Sequence, residues 1–280
     1  MSMNRILETK EVNFRYSGSQ SDALRNLTLR VPEGKKTAIC GHNGSGKSTL
    51  FLHAIGIHSP SSGQVLWRNA PVSYGRKELK QLRQDIGVVF QDPEQQIILN
   101  TPYEDVTYGL RNASVPEPEI QRRTEAILRT MRLEHLAHTP IHHLSLGQKK
   151  RVAIAGVLVL EPDLLLLDEP TAYLDRVSER ELVEELERIH RRGITLVMAT
   201  HDMNLAYSWA DWILVMDKGQ CVMEGTPGDV FADEAAIKVL GLERPMLLDL
   251  WEALPEASRQ GREAPRNVED FKTLLQKVFA

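Results

Sequence analysis

A glycine-rich segment near the start of the chain has the residue types and the spacing of a phosphate-binding loop. Its sequence, Gly41-His42-Asn43-Gly44-Ser45-Gly46-Lys47-Ser48-Thr49, matches G-x-x-x-x-G-K-[ST] between a predicted strand and a predicted helix. Glycines let successive backbone N–H groups point inward at phosphate oxygens, and the helix contributes its positive N-terminal end. Lys47 would neutralise the β and γ phosphates, and the Ser48 hydroxyl would coordinate Mg²⁺. A chance glycine-rich turn is the alternative, but the surrounding strand and helix favour a nucleoside triphosphate site.

Two adjacent carboxylates follow an apolar run and are candidates for the chemistry of such a site. Leu164-Leu165-Leu166-Leu167 precedes Asp168-Glu169, and open α/β sheets bind their ligands beyond the carboxyl ends of strands of this kind. Asp168 would serve Mg²⁺ through water, and Glu169 is the candidate general base for an attacking water. Alone, an Asp-Glu pair after a strand is an ordinary loop start. The presence of the phosphate loop favours the catalytic interpretation.

Hydrophobic patterns predict an α/β fold that would position these residues. Alternating apolar and polar residues predict antiparallel strands, and short apolar runs predict parallel strands buried on both faces. The antiparallel candidates are 6–16, 23–31 and 64–67, and the parallel candidates are 86–90, 164–167 and 194–199. Helices are predicted at 48–57, 117–131 and 180–192, from near Leu146, and at 268–279. Residues 212–224 are predicted to form a hairpin.

Composition excludes some classes of function. The 280 residues carry a formal net charge of −4, with 42% hydrophobic and 26% charged residues, as in ordinary globular proteins. Because nucleic-acid-binding proteins usually carry a basic face, we expect no nucleic acid partner. The apolar runs are far shorter than the ~20 residues that span a bilayer, so we expect any membrane role to come through another subunit.

A third motif lies between the phosphate loop and the carboxylates. Leu144-Ser145-Leu146-Gly147-Gln148-Lys149-Lys150-Arg151 begins a predicted helix, where the Ser145 hydroxyl and the first N–H groups could face an anion. Together with the phosphate loop, the carboxylate pair and His201, its order resembles the ATP-binding cassette (ABC) ATPases over about residues 6–225. The resemblance implies a P-loop NTPase core of the α/β class, with an antiparallel β subdomain, a helical subdomain and a short helical C-terminal extension.

The resemblance also implies ATP and Mg²⁺ as ligands and a role for each motif residue. Tyr16 would stack on adenine, Gln91 would touch Mg²⁺ and sense the transmembrane partner, and His201 would contact the γ-phosphate. The implied catalytic residues are Glu169, His201, Lys47 and Gln91, and the implied Mg²⁺ residues are Ser48, Gln91 and Asp168. The implied nucleotide contacts are Tyr16, Gly41, Asn43, Gly44, Ser45, Gly46, Lys47, Ser48, Thr49, Ser145, Gly147, Gln148 and Asp175.

In this family two chains close head to tail, which implies a homodimer or a dimer with a related ATPase. Each ATP would be held by the phosphate loop of one chain and by 145–148 of the other, with the segment 172–175 crossing the interface. Two residues depart from the family pattern: Leu146 replaces the first of two adjacent glycines, and Tyr173 replaces a small residue.

The segment Phe90-Gln91-Asp92-Pro93-Glu94-Gln95-Gln96 is similar to the Gln-loop region of cobalt and energy-coupling-factor importer ATPases, the CbiO-like group. This similarity implies a peripheral ATPase on the cytoplasmic face of the cell membrane. Its partners would be an integral membrane scaffold protein and a substrate-capturing membrane protein. Cobalt ion is the expected cargo, with nickel or a vitamin as alternatives.

We predict an ABC ATPase domain at 1–241, a helical subdomain at about 92–160 within it, and a helical C-terminal extension at 242–280. The extension would either add dimer contacts or pack on its own chain. Two other functions remain open: a soluble ABC ATPase of DNA repair or translation, and a nucleotide-regulated binding module without turnover. The chain lacks the long coiled-coil insertion or tandem cassette of the first class, and Glu169 disfavours the second.

Overall fold

The computed structural model describes residues 4–279, whose strands form two sheets. Strands β1 to β10 span Arg5–Phe14, Leu24–Pro32, Lys36–Cys40, Ser62–Trp67, Ala70–Pro71, Ile86–Val89, Leu164–Asp168, Thr195–Thr200, Trp212–Asp217 and Gln220–Gly225. Helices α1 to α12 span Lys47–Ala54, Arg76–Asp85, Pro102–Asn112, Glu117–Thr130, Leu146–Leu158, Arg176–His190, Met203–Trp209, Pro227–Ala232, Glu234–Val239, Met246–Glu252, Glu256–Arg259 and Val268–Phe279. Single 3-10 turns lie at Pro93–Gln95, Glu134–Leu136 and Ile141–His143.

The direction of the strands separates the two sheets. One sheet is antiparallel, with the order β2-β1-β4-β5. The other has the order β10-β9-β3-β8-β7-β6; it is parallel from β9 to β6 and ends in the antiparallel β9–β10 hairpin. The hairpin turns at Lys218 and Gly219, both with positive φ, as a two-residue turn of this type requires. The predicted α/β fold class is confirmed.

The parallel sheet is buried on both faces, which explains its continuous apolar strands. Leu165 and Leu167 of β7 belong to one hydrophobic cluster, while Leu164 and Leu166 belong to another. Because successive side chains of a strand point to opposite faces, the two clusters are the two sides of one sheet. The first cluster also contains the helices between β6 and β7, and the second contains the antiparallel sheet.

The structure contains each of the predicted helices, most of them with somewhat different ends, together with several helices that were not predicted. Helix α6 begins at Arg176, four residues before the predicted start, because Asp175 caps it. Helix α1 ends at Ala54 rather than at residue 57. The sequence patterns did not predict α2, α3, α7, α8 and α9, although Thr101 and Glu104 form a capping box at the start of α3. The T-x-x-E spacing of that box was the available signal.

The C-terminal segment packs on its own chain. Leu248 and Trp251 of α10 are buried, and Leu242 contacts the first hydrophobic cluster. The Arg266 guanidinium donates hydrogen bonds to the Tyr207 and Ala210 carbonyls at the end of α7. Of the two alternatives for the extension, packing on its own chain is therefore observed for these residues. Within residues 4–279, no helix combines the length and the apolar character needed to cross a bilayer.

Candidate functional site

The strand register brings the predicted site residues to one edge of the parallel sheet. Cys40 at the end of β3 pairs with Thr200 at the end of β8, and Asp168 at the end of β7 pairs with Ala199. The segments that follow these strands carry the phosphate loop, Glu169 and His201. Since parallel strands all end at the same edge, residues far apart in sequence meet there.

The phosphate loop needs glycine where it approaches other backbone. Gly41 has φ 151° and Gly46 has φ 106°, both outside the range that other residues readily adopt. A Cβ on Gly41 would lie 2.2 Å from the Met216 carbonyl oxygen, and one on Gly46 would lie 2.8 Å from the Ala23 carbonyl oxygen. The loop thus packs against the end of β9 and against the residue before β2.

Lys47, the first residue of α1, folds its ammonium back into the loop. Its Nζ lies 2.7 Å from the Gly41 carbonyl oxygen and 3.1 Å from that of His42, and the residue is only 6% exposed. Burial lowers the pKa of Lys47, while nearby Glu169 and Asp168 act in the opposite direction. A buried cation at a helix N-terminus is suited to binding a phosphate group.

Asp168 at the end of β7 and Ser48 in the first turn of α1 bring two side-chain oxygens close together. Burial raises the pKa of the Asp168 carboxyl, and a hydrogen bond from Ser48 together with the charge of Lys47 opposes that rise. Hydroxyl and carboxylate oxygens are the ligands that Mg²⁺ prefers, and Mg²⁺ usually shares them with waters and substrate phosphates. The donor set therefore fits Mg²⁺.

One carboxylate oxygen of Glu169 is hydrogen-bonded, and the two oxygens differ in their surroundings. Its Oε2 lies 2.9 Å from the Nδ1 of His201, so an N–H at that position donates to the carboxylate. Within residues 4–279, the buried Oε1 has no hydrogen-bond partner. The residue is 5% exposed and has φ 47°, in the left-handed region. A buried carboxylate with one free oxygen is suited to accept a proton from a water molecule.

These groups surround one cleft of about 250 Å³. The Tyr16 hydroxyl lies 3.2 Å from the Thr49 hydroxyl, which places the predicted adenine-stacking residue against the end of the phosphate loop. The cleft is lined by Tyr16, Ala23, Asn43, Gly44, Gly46, Lys47, Ser48, Thr49, Gln91, Asp168 and Glu169. Gly41 and Ser45 lie in the loop behind this lining, and His201 contacts it through Glu169.

The structure does not bring four of the predicted nucleotide contacts to this cleft. Ser145 and Gln148 form a capping box at the start of α5. Asp175 caps α6, where its carboxylate accepts hydrogen bonds from the Val177 and Ser178 backbones and from the Ser178 hydroxyl. A Cβ on Gly147 would lie 3.3 Å from Ser178, so the starts of α5 and α6 pack side by side.

The structure gives a physical account of the two departures from the family pattern. Leu146 is the first residue of α5 and has no positive φ, so the backbone there does not need glycine. Tyr173 has φ 63° and is 84% exposed. A small residue, glycine above all, suits that conformation, and a tyrosine there carries about 1–2 kcal/mol of strain.

Lys150 is a residue that the sequence did not single out. It lies in the second turn of α5 with its Nζ 2.8 Å from the Pro170 carbonyl oxygen and 3.2 Å from that of Glu169. A lysine near a helix start normally indicates a solvated face, so no sequence signal pointed to burial.

Comparison with known proteins identifies the family. Residues 24–172 match the ABC transporter family. The chain is 43% identical over 274 residues to an ABC transporter ATP-binding protein of Nostoc sp., covering 98% of each protein. It is 44% identical over 252 residues to the energy-coupling factor transporter ATP-binding protein EcfA2 of Clostridium perfringens, covering 90% of this chain and 88% of the relative. This chain belongs to the ABC transporter ATPases. Members of this family hydrolyse ATP to drive transport, and this ATPase is of the energy-coupling-factor type.

Solved structures agree with this assignment. CbiO1 of Clostridium perfringens, part of the ABC transporter complex CbiONQ, has a TM-score of 0.76 and 43% identity, covering 89% of the ATPase and 99% of CbiO1. The ATP-binding cassette MJ0796, a dimer in a post-hydrolysis state bound to ADP and phosphate, has a TM-score of 0.72 and 31% identity, covering 79% and 98% of the two chains. The ABC ATPase fold predicted from the motifs is confirmed.

Proposed function

We propose that the ATPase binds MgATP in the cleft of the phosphate loop and hydrolyses it with Glu169 as the general base. The observation that carries this proposal is the buried Glu169 carboxylate, which accepts a hydrogen bond from His201 at one oxygen and has no partner among residues 4–279 at the other. Lys47 would bind the β and γ phosphates, and Ser48, Gln91 and Asp168 would hold Mg²⁺, whose charge offsets that of the phosphates.

The nucleotide contacts of the loop would divide between backbone and side chains. Successive N–H groups of the glycine-rich segment would bind phosphate oxygens, as the helix N-terminus favours. Tyr16 would stack on adenine beside Thr49, and His201 would contact the γ-phosphate. The backbone contacts would come from Gly41, Asn43, Gly44, Ser45, Gly46, Ser48 and Thr49.

A second chain would complete the site. Ser145, Gly147, Gln148 and Asp175 lie outside the cleft of their own chain, on the adjacent starts of α5 and α6. We assign them to the ATP bound by a partner, either an identical copy or a related ATPase, in a head-to-tail dimer. Because ATP bridges the two chains and its γ-phosphate is lost on hydrolysis, ATP and ADP would favour different dimer states, as a switch requires.

The motion of this dimer would drive transport through membrane proteins. An integral scaffold protein would contact the ATPase near Gln91, where Ile98 is an apolar side chain with 60% exposure. A separate membrane protein would capture the cargo, so the ATPase would not touch it. The similarity to EcfA2 and to CbiO1 of a CbiONQ complex supports an importer of this type. We propose cobalt ion as the cargo, with nickel or a vitamin as alternatives.

The chain would be organised accordingly. We propose an ABC ATPase domain at 1–241, with a helical subdomain at about 92–160 between β6 and β7, and a helical extension at 242–280. The ATPase would lie on the cytoplasmic face of the cell membrane as a peripheral subunit.

The deciding experiment is the variant Glu169→Gln. It removes the base but keeps the phosphate contacts, so the rate of hydrolysis should fall by at least ~10²-fold while an ATP-bound dimer accumulates. Turnover is measured with purified protein and Mg²⁺, and the dimer is measured by mass in solution with ATP and with ADP.

The matched control is Glu185→Gln, which also replaces a buried glutamate but lies on α6 outside the cleft. It should change the turnover per folded protein by less than a factor of two. Near-normal hydrolysis by Glu169→Gln would reject Glu169 as the base. ATP retention without hydrolysis in the unmodified protein, even with its membrane subunits, would favour a nucleotide-regulated binding module.

A further inference from the structure

Lys150 is a buried lysine whose ammonium binds main-chain carbonyls next to the proposed catalytic carboxylate. The residue is 2% exposed, and its Nζ donates to the Pro170 carbonyl at 2.8 Å and to the Glu169 carbonyl at 3.2 Å. Burial lowers the pKa of Lys150 to about 8, although Glu169 and Asp92 lie near enough to oppose the shift. An ammonium is costly to bury unless its donors are satisfied, so these contacts are a defined part of the site.

The backbone that Lys150 contacts is in an unfavourable conformation. Glu169 has φ 47°, a left-handed conformation that costs a non-glycine residue about 1–2 kcal/mol. Several contacts hold it there: its N–H donates to the Ala199 carbonyl at 3.0 Å, its carboxylate accepts from His201, and its carbonyl accepts from Lys150. Strained residues of this kind persist only when the surrounding structure constrains them.

The same carbonyl begins the turn that leads to the exposed Tyr173. The Ala172 N–H donates to the Glu169 carbonyl at 3.1 Å, so Lys150 and this turn share one acceptor. Lys150 lies on α5, five residues after Ser145. Helix α5 thus connects the side chains at its N-terminus directly to the backbone of Glu169.

We propose that Lys150 is a positioning residue, which holds the backbone of Glu169 so that the free carboxylate oxygen faces the cleft. The inference rests on the proposed role of Glu169. If Ser145 binds the nucleotide of the partner chain, Lys150 also links the helix that contacts one ATP to the base that acts on the other.

The test is Lys150→Met, which keeps an unbranched side chain only one atom shorter than lysine and removes its donors. The kcat for ATP should fall by roughly 10- to 100-fold, because a small misplacement of a reacting group has effects of this size. The KM for ATP should change less than twofold, since Lys150 does not line the cleft. Lys150→Gln, which keeps an N–H donor on a shorter side chain, should recover part of the lost kcat.

Lys36→Met is the matched control for losing a partly buried lysine. Lys36 binds Glu187 at 2.6 Å at the start of β3, the end of that strand away from the phosphate loop. This variant should lose stability in urea unfolding but keep its kcat within twofold. If a variant only lost stability, its kcat would be unchanged when the rate is divided by the amount of folded protein.

Three results would overturn the proposal: a kcat of Lys150→Met within twofold of the unmodified protein, a KM that rises as far as kcat falls, or an equal fall in Lys36→Met. If Lys150→Met does not fold, Lys150→Leu, which also removes the donors, takes its place, and a kcat of that variant within twofold of the unmodified protein overturns the proposal. Glu169→Gln separates the two proposals: an inactive Glu169→Gln with an active Lys150→Met rejects only the role of Lys150.

Discussion

The polar groups in the cleft at the phosphate loop and those on the N-terminal face of α5 differ in their burial and in their hydrogen bonding. In the cleft, Lys47, Asp168 and Glu169 are buried together, and within residues 4–279 one oxygen of Glu169 has no partner. On the α5 face, Ser145 and Gln148 satisfy each other in a capping box, close to solvent.

This difference shows which half of the proposed site one chain builds alone. Buried groups with unused hydrogen-bonding capacity are costly, so the cleft is arranged for a ligand before any ligand arrives. The polar groups on the α5 face have hydrogen-bond partners without a ligand. They would take a further role only in contact with another molecule. Substitutions in the cleft should therefore change ATP binding by a single chain, whereas substitutions on the α5 face should change only the properties of the dimer.

The largest effect is expected for Lys47→Ala. Each hydrogen bond between charged groups contributes about 1.5–3 kcal/mol, so losing the contacts of one ammonium with two phosphates should weaken ATP binding by at least ~10²-fold. Calorimetry at a concentration where the protein is monomeric measures this directly. Binding within threefold of the unmodified protein would contradict the assignment of the phosphate loop.

A smaller and more selective effect is expected for Ser145→Ala. Binding of ATP by the monomer should stay unchanged, while ATP-dependent dimerisation and turnover should fall by roughly tenfold, the loss of one hydrogen bond to a charged group. Thr226→Ala is the control, because Thr226 forms the same kind of capping box at the start of α8. Both variants should lose about 1 kcal/mol of stability, and only Ser145→Ala should lose turnover. Equal turnover in the two variants would place the α5 face outside the site.

The smallest effect is expected for Tyr173→Gly, which should stabilise the monomer and weaken the dimer. Glycine removes about 1–2 kcal/mol of strain from the left-handed backbone, and the greater entropy of the unfolded chain costs somewhat less than that. The free energy of unfolding of the monomer should therefore rise by roughly 0.5 kcal/mol. If Tyr173 contacts the partner, the ATP-bound dimer should weaken.

Tyr173→Ala removes the same ring without relieving the backbone, so it should weaken the dimer and give no gain in the monomer. Urea unfolding measures the stability of the monomer, and mass in solution with ATP measures the formation of the dimer. An unchanged dimer in both variants would show that the exposed ring has no partner.

The sequence predicted most of the fold and of the cleft, and the exceptions have physical causes. The phosphate loop is recognisable because glycines are needed at fixed points where the backbone turns or meets other backbone, as at Gly41 and Gly46. Buried parallel strands such as β7 are recognisable by their continuous apolar runs. Helix α3 lies within the predicted helical subdomain but was not predicted as a helix, although its capping box is a local signal.

The sequence by itself determined which residues are proposed as ligand-binding groups, since phosphate binding and general-base chemistry restrict which residue types serve and how they are spaced. Only the tertiary structure decided which groups share a cleft. It placed Glu169 against His201 and Lys150 against the Glu169 carbonyl, and it left Ser145 and Asp175 outside. Such contacts depend on the register of distant strands and on the packing of helices. No local pattern encodes them, because they join residues that are far apart along the chain.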